Sequence, residues 1–158
     1  MKYSLSALVL LLHILAANAN EGRFILQAPR GAYSTINQQL LVMEDTTGSL
    51  TFSDVREKRF AKAFRPYSAI EGQFNANNRY WAKIRLTNNT RHPFGGVLYL
   101  GGKRDADFAD LYKIDSTGHH VHERAGYLVP ASEKSVISDL GAKFRLHLMP
   151  GESKMLYM

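Results

Sequence analysis

The sequence predicts an all-β domain, an antiparallel sandwich or barrel, with one short helix near residues 53–62. Short runs of alternating apolar and polar residues recur along most of the chain, and turn-forming residues separate them at even intervals. Many short strands with turns between them are typical of a sandwich or a barrel. A chain of 158 residues is long enough for one domain with a core of its own, but too short for two.

The first nineteen residues have the pattern of a secretory signal peptide. Lys2 gives a positive start, an apolar run extends from Leu5 to Leu15, and Ala17-Asn18-Ala19 supplies a small-x-small cleavage site. We therefore expect residues 1–19 to be removed and the rest of the chain to be exported. An uncleaved anchor is the alternative, but the apolar run is short for a stable membrane span.

The cysteine content and the net charge indicate the cellular compartment of the protein and the kinds of partner that it can bind. The chain has no Cys, so an exported domain must be held together by its core alone. A bacterial periplasm, at the outer face of the inner membrane, suits such a domain better than a eukaryotic secreted setting. The net charge is +6, and export argues against nucleic acid as the partner. The densest cationic group, in residues 56–65, is typical of a solvated helix face, with anionic lipid as the weaker alternative.

The first half of the chain gives fewer clear elements. Residues 20–35 lack periodicity and are predicted to be a leader segment or a loosely held first strand, so that the sandwich domain covers 36–158. A strand is expected over 37–44, and the turn-forming run Asp45-Thr46-Thr47-Gly48 ends it. A capping pattern that begins at Ser53 predicts the short helix.

The second half is predicted to be strand after strand. Asn88 to Pro93 forms a turn, Gly101-Gly102 breaks a strand, and Asp115-Ser116-Thr117-Gly118 is a tight hairpin turn. Strands are expected at residues 79–87, 94–100, 108–114, 119–123, 135–137, 143–148 and 153–157.

The strand around the single Trp carries the main candidate binding residues. Tyr80, Ala82, Ile84 and Leu86 share one face, which is predicted to be core. The other face aligns Trp81 with Lys83 and Arg85. An indole beside two cations suits a polar ligand with a flat apolar side, such as a sugar or an anion. A packed strand whose Lys and Arg stems reach out to water fits the same pattern, and packing is the commoner role of a lone Trp.

Three tyrosines, Tyr99, Tyr112 and Tyr127, allow the same two interpretations, packing or ligand contact. Tyr112 shares its parity with Phe108 and Ile114, which predicts a core position with the hydroxyl at an edge. By parity Tyr99 is expected to line the same sheet as Trp81, and Tyr127 is expected on a loop. Tyr99 and Tyr127 are therefore further candidate ligand contacts.

The sequence has few of the motifs that would indicate a metal site or a catalytic site. His120 and His122 share a face at strand spacing but lack a third ligand, so exposed hairpin histidines are the simpler interpretation. Asp105, Asp107 and Asp110 lack the glycine and the terminal Glu of a calcium loop. The chain has no Cys nucleophile, no Gly-x-Ser-x-Gly elbow and no glycine-rich phosphate loop. We expect no metal, no cofactor, no catalytic residue and no enzymatic activity.

The order of several short motifs resembles a known family. These motifs are Leu40–Asp45, Gly48, Leu50, Val55, Tyr80-Trp81, Arg85, Asn88, Leu98–Leu100, Asp110-Leu111-Tyr112, Gly118, Gly126, Pro130, Ser132, Phe144–Leu148, Pro150-Gly151-Glu152 and Leu156-Tyr157. In their order and spacing the chain is similar to the second type of extracellular sensor domain of bacterial seven-transmembrane receptors with diverse intracellular signalling modules. This resemblance covers the mature chain.

The resemblance implies a jelly-roll-like sandwich similar to carbohydrate-binding modules, outside the inner membrane and ahead of a seven-helix bundle. It implies a carbohydrate or related small molecule as ligand, and an intracellular enzyme such as a diguanylate cyclase or a histidine kinase as output. The chain departs from the family in having Lys83 and Lys134 where Arg is usual, and Lys lacks the bidentate geometry of Arg.

The chain stops at Met158, within the expected last strand. It is expected to be either a fragment of such a receptor or a free-standing exported carbohydrate-binding protein. A fragment would have the seven-helix bundle and the intracellular signalling enzyme as partners. A protein–protein interaction module of the receptor is the alternative to a ligand-sensing domain.

Overall fold

The computed structural model describes residues 22–26, 35–75, 77–101, 106–138 and 141–158. The predicted signal peptide, residues 1–19, lies outside these ranges. So do most of the predicted leader segment and the residues Gly102 and Asp105.

The described residues form nine strands in two sheets, which confirms the predicted all-β sandwich. The larger sheet has the order β3-β2-β4-β9-β6-β7, and β1 pairs with β4 in parallel while the other pairs are antiparallel. The smaller sheet is the antiparallel pair β5-β8. The strands are β1 Arg23–Leu26, β2 Leu41–Asp45, β3 Arg65–Pro66, β4 Arg79–Asn88, β5 Phe94–Leu100, β6 Ala109–Ile114, β7 His120–Ala125, β8 Ala142–Leu148 and β9 Ser153–Tyr157.

The main core lies between the two sheets. Leu111 and Leu156 from the larger sheet and Phe144 and Leu148 from the smaller sheet are completely buried there. On each strand these residues alternate with more exposed ones, as expected when one face of a strand packs on a core. Burial of this apolar surface is the main favourable term in the free energy of folding.

A second, smaller cluster covers part of the outer face of the larger sheet. Val55 and Phe64, from the segment of residues 50–64, pack on Leu41 and Met43 of β2, with Trp81 at the margin. The segment holds one turn of α-helix, α1 Phe52–Val55, and a 3-10 turn at Lys58–Phe60. Further 3-10 turns in the described chain are Asn37–Gln39, Tyr67–Ala69 and Ala131–Glu133.

The start of α1 corrects the sequence prediction. The N-cap is Thr51 and not Ser53, because Thr51 and Asp54 form a capping box. The Thr51 side chain accepts the Asp54 N–H at 3.3 Å, and the Asp54 carboxylate accepts the Thr51 N–H at 2.8 Å. Such a box needs a hydroxyl and an acceptor three residues apart. The predicted helix near 53–62 is thus a short turn of α-helix followed by a 3-10 turn.

Two other predicted strand positions are wrong. Residues 37–39 form a 3-10 turn, so the strand expected at 37–44 begins only at Leu41. Residues 135–137 form no strand, and the Ser135 hydroxyl instead donates a hydrogen bond to Glu123 Oε2 at 2.8 Å. In contrast, β5 and β9 have the predicted bounds, 94–100 and 153–157.

Candidate functional site

Trp81, Lys83 and Arg85 do lie on one face of β4, the outer face of the larger sheet. The segment of residues 50–64 covers part of this face: Trp81 is half-buried against the second cluster. Lys83 is only 8% exposed, and its Nζ lies 4.2 Å from the centroid of the Phe64 ring, a cation–π contact. The Lys83 ammonium is thus engaged by the protein itself, and a ligand contact of these three residues stays a prediction.

The other two predicted ligand residues lie elsewhere. Tyr99 is on β5 in the smaller sheet, so the expectation that it lines the same sheet as Trp81 is wrong. Parity along a strand fixes the face of a side chain but not the sheet to which the strand belongs. Tyr127 is 72% exposed on the loop that follows β7, as expected. The structure therefore does not bring the five predicted residues together.

Tyr112 lies on the outer face of the larger sheet, where it belongs to an aromatic stack and not to the main core. Its ring is nearly parallel to the Phe52 ring at a centroid distance of 4.0 Å and to the His122 ring at 4.4 Å. Tyr112 and Ile114 do share one face of β6, as predicted. The prediction that this face packs in the core was wrong, because it is the outer face of the sheet. The inward residue of this strand is Leu111, which is completely buried.

One of the hairpin histidines, His122, belongs to a polar network beside this stack. His122 Nε2 is 2.6 Å from Asp110 Oδ1, which also accepts a hydrogen bond from Arg124 Nε at 2.9 Å. Burial alone would raise the pKa of Asp110, but its bonds to Arg124 and His122 outweigh burial and lower that pKa. Among the described residues no three His, Asp or Glu side chains are grouped as metal ligands would be.

A cleft of about 410 Å³ lies between the β6–β7 hairpin and β8. We call it the polar cleft. It exists because the smaller sheet, with two strands, covers only part of the inner face of the larger one. On β6 the inward position after Leu111 is Lys113, so the face changes from apolar to charged at this point. The cleft is lined by Lys113, Asp115, His119, Val121, Glu123, Ser135, Arg145, His147, Glu152 and Lys154.

A half-buried ion pair forms the floor of the polar cleft. The Lys113 ammonium hydrogen-bonds to Glu123 Oε1 and also donates to the Arg145 carbonyl at 3.3 Å. The other carboxylate oxygen of Glu123 accepts the bond from Ser135. The side chains of Lys113 and Glu123 are 16% and 19% exposed. Groups held in this way are preorganised, because a ligand need not order them.

A second pair closes the β9 end of the cleft. Lys154 Nζ lies 3.1 Å from Glu152 and donates to the His147 carbonyl at 2.8 Å. Burial would raise the pKa of Glu152, but hydrogen bonds from the Met149 N–H and from Lys154 outweigh it and lower the pKa. Arg145 differs from these residues, because its exposed guanidinium forms no ion pair with any described residue.

The polar cleft thus combines carboxylates that are held in place by hydrogen bonds with a guanidinium that pairs with no described residue. Glu123 and Glu152 keep lone pairs that can accept ligand hydroxyls, while Arg145 can donate to an oxygen or pair with an anion. This site was not predicted from the sequence. The signal in the sequence is a charged residue, Lys113, on the inward face of β6, where the preceding inward residues, Ala109 and Leu111, are apolar.

A comparison with known families identifies the domain. The family model described as "7TMR-DISM extracellular 2" matches residues 37–158. The chain belongs to this family. It is therefore an extracellular sensor domain of the kind found in seven-transmembrane receptors, and its location is periplasmic, as the sequence predicted. No curated protein and no solved structure gave a significant match. Within the ranges that the structure describes, no helix has both the length and the apolar character needed to cross a membrane.

Proposed function

We propose that this domain senses a polar small molecule in the periplasm, a carbohydrate or a close relative, and holds it in the polar cleft. The observation that supports the proposal is the cleft itself: a cavity of about 410 Å³ whose lining combines fixed carboxylate acceptors with Arg145, which forms no ion pair with a described residue. This volume falls in the range of small-molecule sites, and sugars bind through many hydroxyl contacts of this kind. The family supplies the sensing role and leaves the ligand open.

The proposed mechanism of signalling is a shift between two conformations. The β6–β7 hairpin belongs to the larger sheet and β8 to the smaller one, so a ligand in the cleft contacts both layers. A ligand that binds one spacing of the layers better than another changes the populations of the two states. In a receptor this difference would bias the seven-helix bundle and, through it, an intracellular signalling enzyme. Sequencing downstream of the Met158 codon distinguishes such a receptor from a free-standing exported protein.

A second candidate function is a protein–protein interaction module. Phe108, Tyr127 and Leu128 are 57%, 72% and 55% exposed. Their backbones are adjacent, because the Tyr127 and Leu128 N–H groups donate to the carbonyls of Ala106 and Asp107. Exposed apolar residues that cluster in this way favour a contact with another protomer or receptor domain. Concentration-dependent association in sedimentation experiments would support this function.

Ligand binding in the polar cleft is tested by thermal unfolding of the purified protein with a panel of neutral sugars, acidic sugars and organic acids. We expect at least one compound to raise the Tm saturably, by an amount equivalent to about 2.7 kcal/mol at 100 times its Kd. Arg145→Ala should weaken this stabilisation, because the variant removes this guanidinium from the cleft. The matched control is Arg91→Ala, which removes an exposed Arg outside the cleft.

Two results would contradict the proposal. One is a panel in which no compound stabilises the protein. The other is a compound that stabilises the unmodified protein and stabilises two cleft variants, Arg145→Ala and Glu123→Gln, by the same amount. Glu123→Gln keeps the size of the side chain, so a loss of binding in this variant is not explained by a cavity.

A further inference from the structure

We propose that the ligand is an acidic oligosaccharide that extends from the polar cleft, across the outer face of the smaller sheet, to Tyr99. This inference rests on the proposed function and adds the chemical class and the path of the ligand. Three features of the smaller sheet support it: a fixed aromatic ring, a row of basic side chains, and a lack of acidic side chains on the same face.

The fixed aromatic ring is that of Tyr99, which is 51% exposed. It lies directly against the Cα atoms of Gly101 and Gly141, where a Cβ on either glycine would overlap the ring. Gly141 has a φ of +61°, a conformation that also favours glycine. One side of the ring is thus packed on backbone while the rest is open to solvent. A rigid, half-exposed Tyr ring offers large contact area at little cost in conformational entropy, which suits the apolar face of a sugar.

The basic row consists of the outward residues of β8, namely Lys143, Arg145 and His147. Arg145 and His147 also line the polar cleft, and Lys143 is paired with Tyr99 across the two strands. Lys143 Nζ lies 5.6 Å from the centroid of the Tyr99 ring. Alternate residues on a strand are about 7 Å apart, so the row leads stepwise from the cleft to the ring.

The charge on this face is unbalanced. Opposite the basic row, the outward residues of β5 are Gly95, Val97 and Tyr99, so the described face carries no acid. Neither Lys143 nor Arg145 forms an ion pair with a described residue, whereas Glu123 and Glu152, in the cleft, are already bonded to Lys113 and Lys154. Carboxylates of a ligand would find two cations here that pair with no described carboxylate, and its hydroxyls would find the acceptors of the cleft.

An acidic oligosaccharide fits these features better than an anionic membrane surface does. The basic residues form a single row and not a broad patch, and the row ends in a concave cleft that a flat bilayer cannot enter. The carboxylates of Glu123 and Glu152 in that cleft would repel lipid phosphates, but they can accept hydrogen bonds from sugar hydroxyls.

The inference is tested by calorimetric titration of the purified protein with trigalacturonate and with its fully methyl-esterified form, which has the same sugar rings without charge. We expect the acid to bind at least tenfold more tightly than the ester, and its affinity to fall as salt rises. The double variant Lys143→Met/Arg145→Met should remove this preference. Tyr99→Ala should weaken binding of both probes, while Tyr99→Phe, which keeps the ring, should bind both nearly as well as the unmodified protein.

The outcomes separate this inference from the proposed function. Equal affinities for acid and ester, no binding of either, or acid binding that survives in the double variant would each overturn the inference. The inference would also be overturned if the protein bound phosphatidylglycerol vesicles but not the trisaccharide. If a neutral sugar from the thermal panel still binds in the cleft, the proposed function survives these failures. If no compound binds at all, both are wrong.

Discussion

Replacing Asn88 with Asp is expected to destabilise the domain by about 3–5 kcal/mol, because a carboxylate would be buried against carbonyl oxygens. Asn88 is completely buried at the end of β4. Its Nδ2 donates to the carbonyls of His92, Leu148 and Met149 at 2.9, 3.0 and 3.2 Å. Its Oδ1 accepts the Thr90 N–H and hydroxyl. One amide thus ties the larger sheet to the end of β8 and to the turn before β5.

The matched control for this prediction is Asn89→Asp, which introduces the same charge at the exposed neighbouring residue. Urea unfolding followed by circular dichroism should show a large fall in the midpoint for Asn88→Asp and a small change for the control. Similar midpoints for the two variants would contradict the role assigned to Asn88. The burial of Asn88 also means that the sequon Asn88-Asn89-Thr90 cannot carry a glycan in this fold, because the Nδ2 atom is fully engaged.

Replacing Asp45 with Ala is expected to destabilise the domain by about 2–3 kcal/mol, because partly buried backbone N–H groups lose a charged acceptor. Asp45 is 2% exposed at the end of β2. Its Oδ1 accepts the N–H groups of Thr47 and Gly48 and the Thr47 hydroxyl, and its Oδ2 accepts the Leu50 N–H. The side chain thereby fixes the turn that leads into the segment of residues 50–64, which covers Trp81.

The control for Asp45 is Asp115→Ala in the hairpin turn, which has the same Asp-x-Thr-Gly pattern and also a glycine at positive φ. Asp115 likewise accepts the Thr117 N–H and hydroxyl, but its turn is exposed, so water replaces the lost bonds. We expect a much smaller loss of stability. Equal losses for the two variants would show that burial of Asp45 adds nothing.

Asp45 also makes a testable contribution to the pH dependence of stability. Burial would raise the pKa of Asp45, but hydrogen bonds from Thr47, Leu50 and Gly48 outweigh it and hold the pKa below the ordinary value of 3.8. Since the pKa is lower in the folded than in the unfolded protein, this contribution is present above about pH 4 and disappears as pH falls further. When the pH is lowered below about 4, the urea concentration at the unfolding midpoint of the unmodified protein should decrease. In Asp45→Ala this decrease should be smaller.

The sequence predicted those parts of the fold that depend on local pattern. The alternation in β4, the bounds of β5 and β9, and both Asp-x-Thr-Gly turns follow from strand period and turn chemistry, which neighbouring residues determine. The predicted strand at 135–137 is wrong: this segment pairs with no strand, and its Ser135 hydroxyl donates a hydrogen bond to Glu123 of β7 instead.

The candidate site was less predictable, because it depends on which strands become neighbours. Tyr99 and Trp81 have suitable parities, but the pairing of β5 with β8 places them in different sheets. The polar cleft needs Lys113 and Arg145, which are distant in sequence, and it exists only because the smaller sheet leaves that end of the larger sheet uncovered. Neither fact is encoded in a short window of sequence.

The location of the bound ligand is tested most directly by amide NMR of the ¹⁵N-labelled protein, titrated with the saccharide that stabilises it most in thermal unfolding. We predict the largest shift changes at Lys113, Glu123 and Arg145, in the β6–β7 hairpin and β8. The indole N–H of Trp81, the single Trp of the chain, reports on the opposite face of the sheet and should stay unchanged. Shift changes centred on Trp81 and β4, with the cleft residues unaffected, would contradict the account.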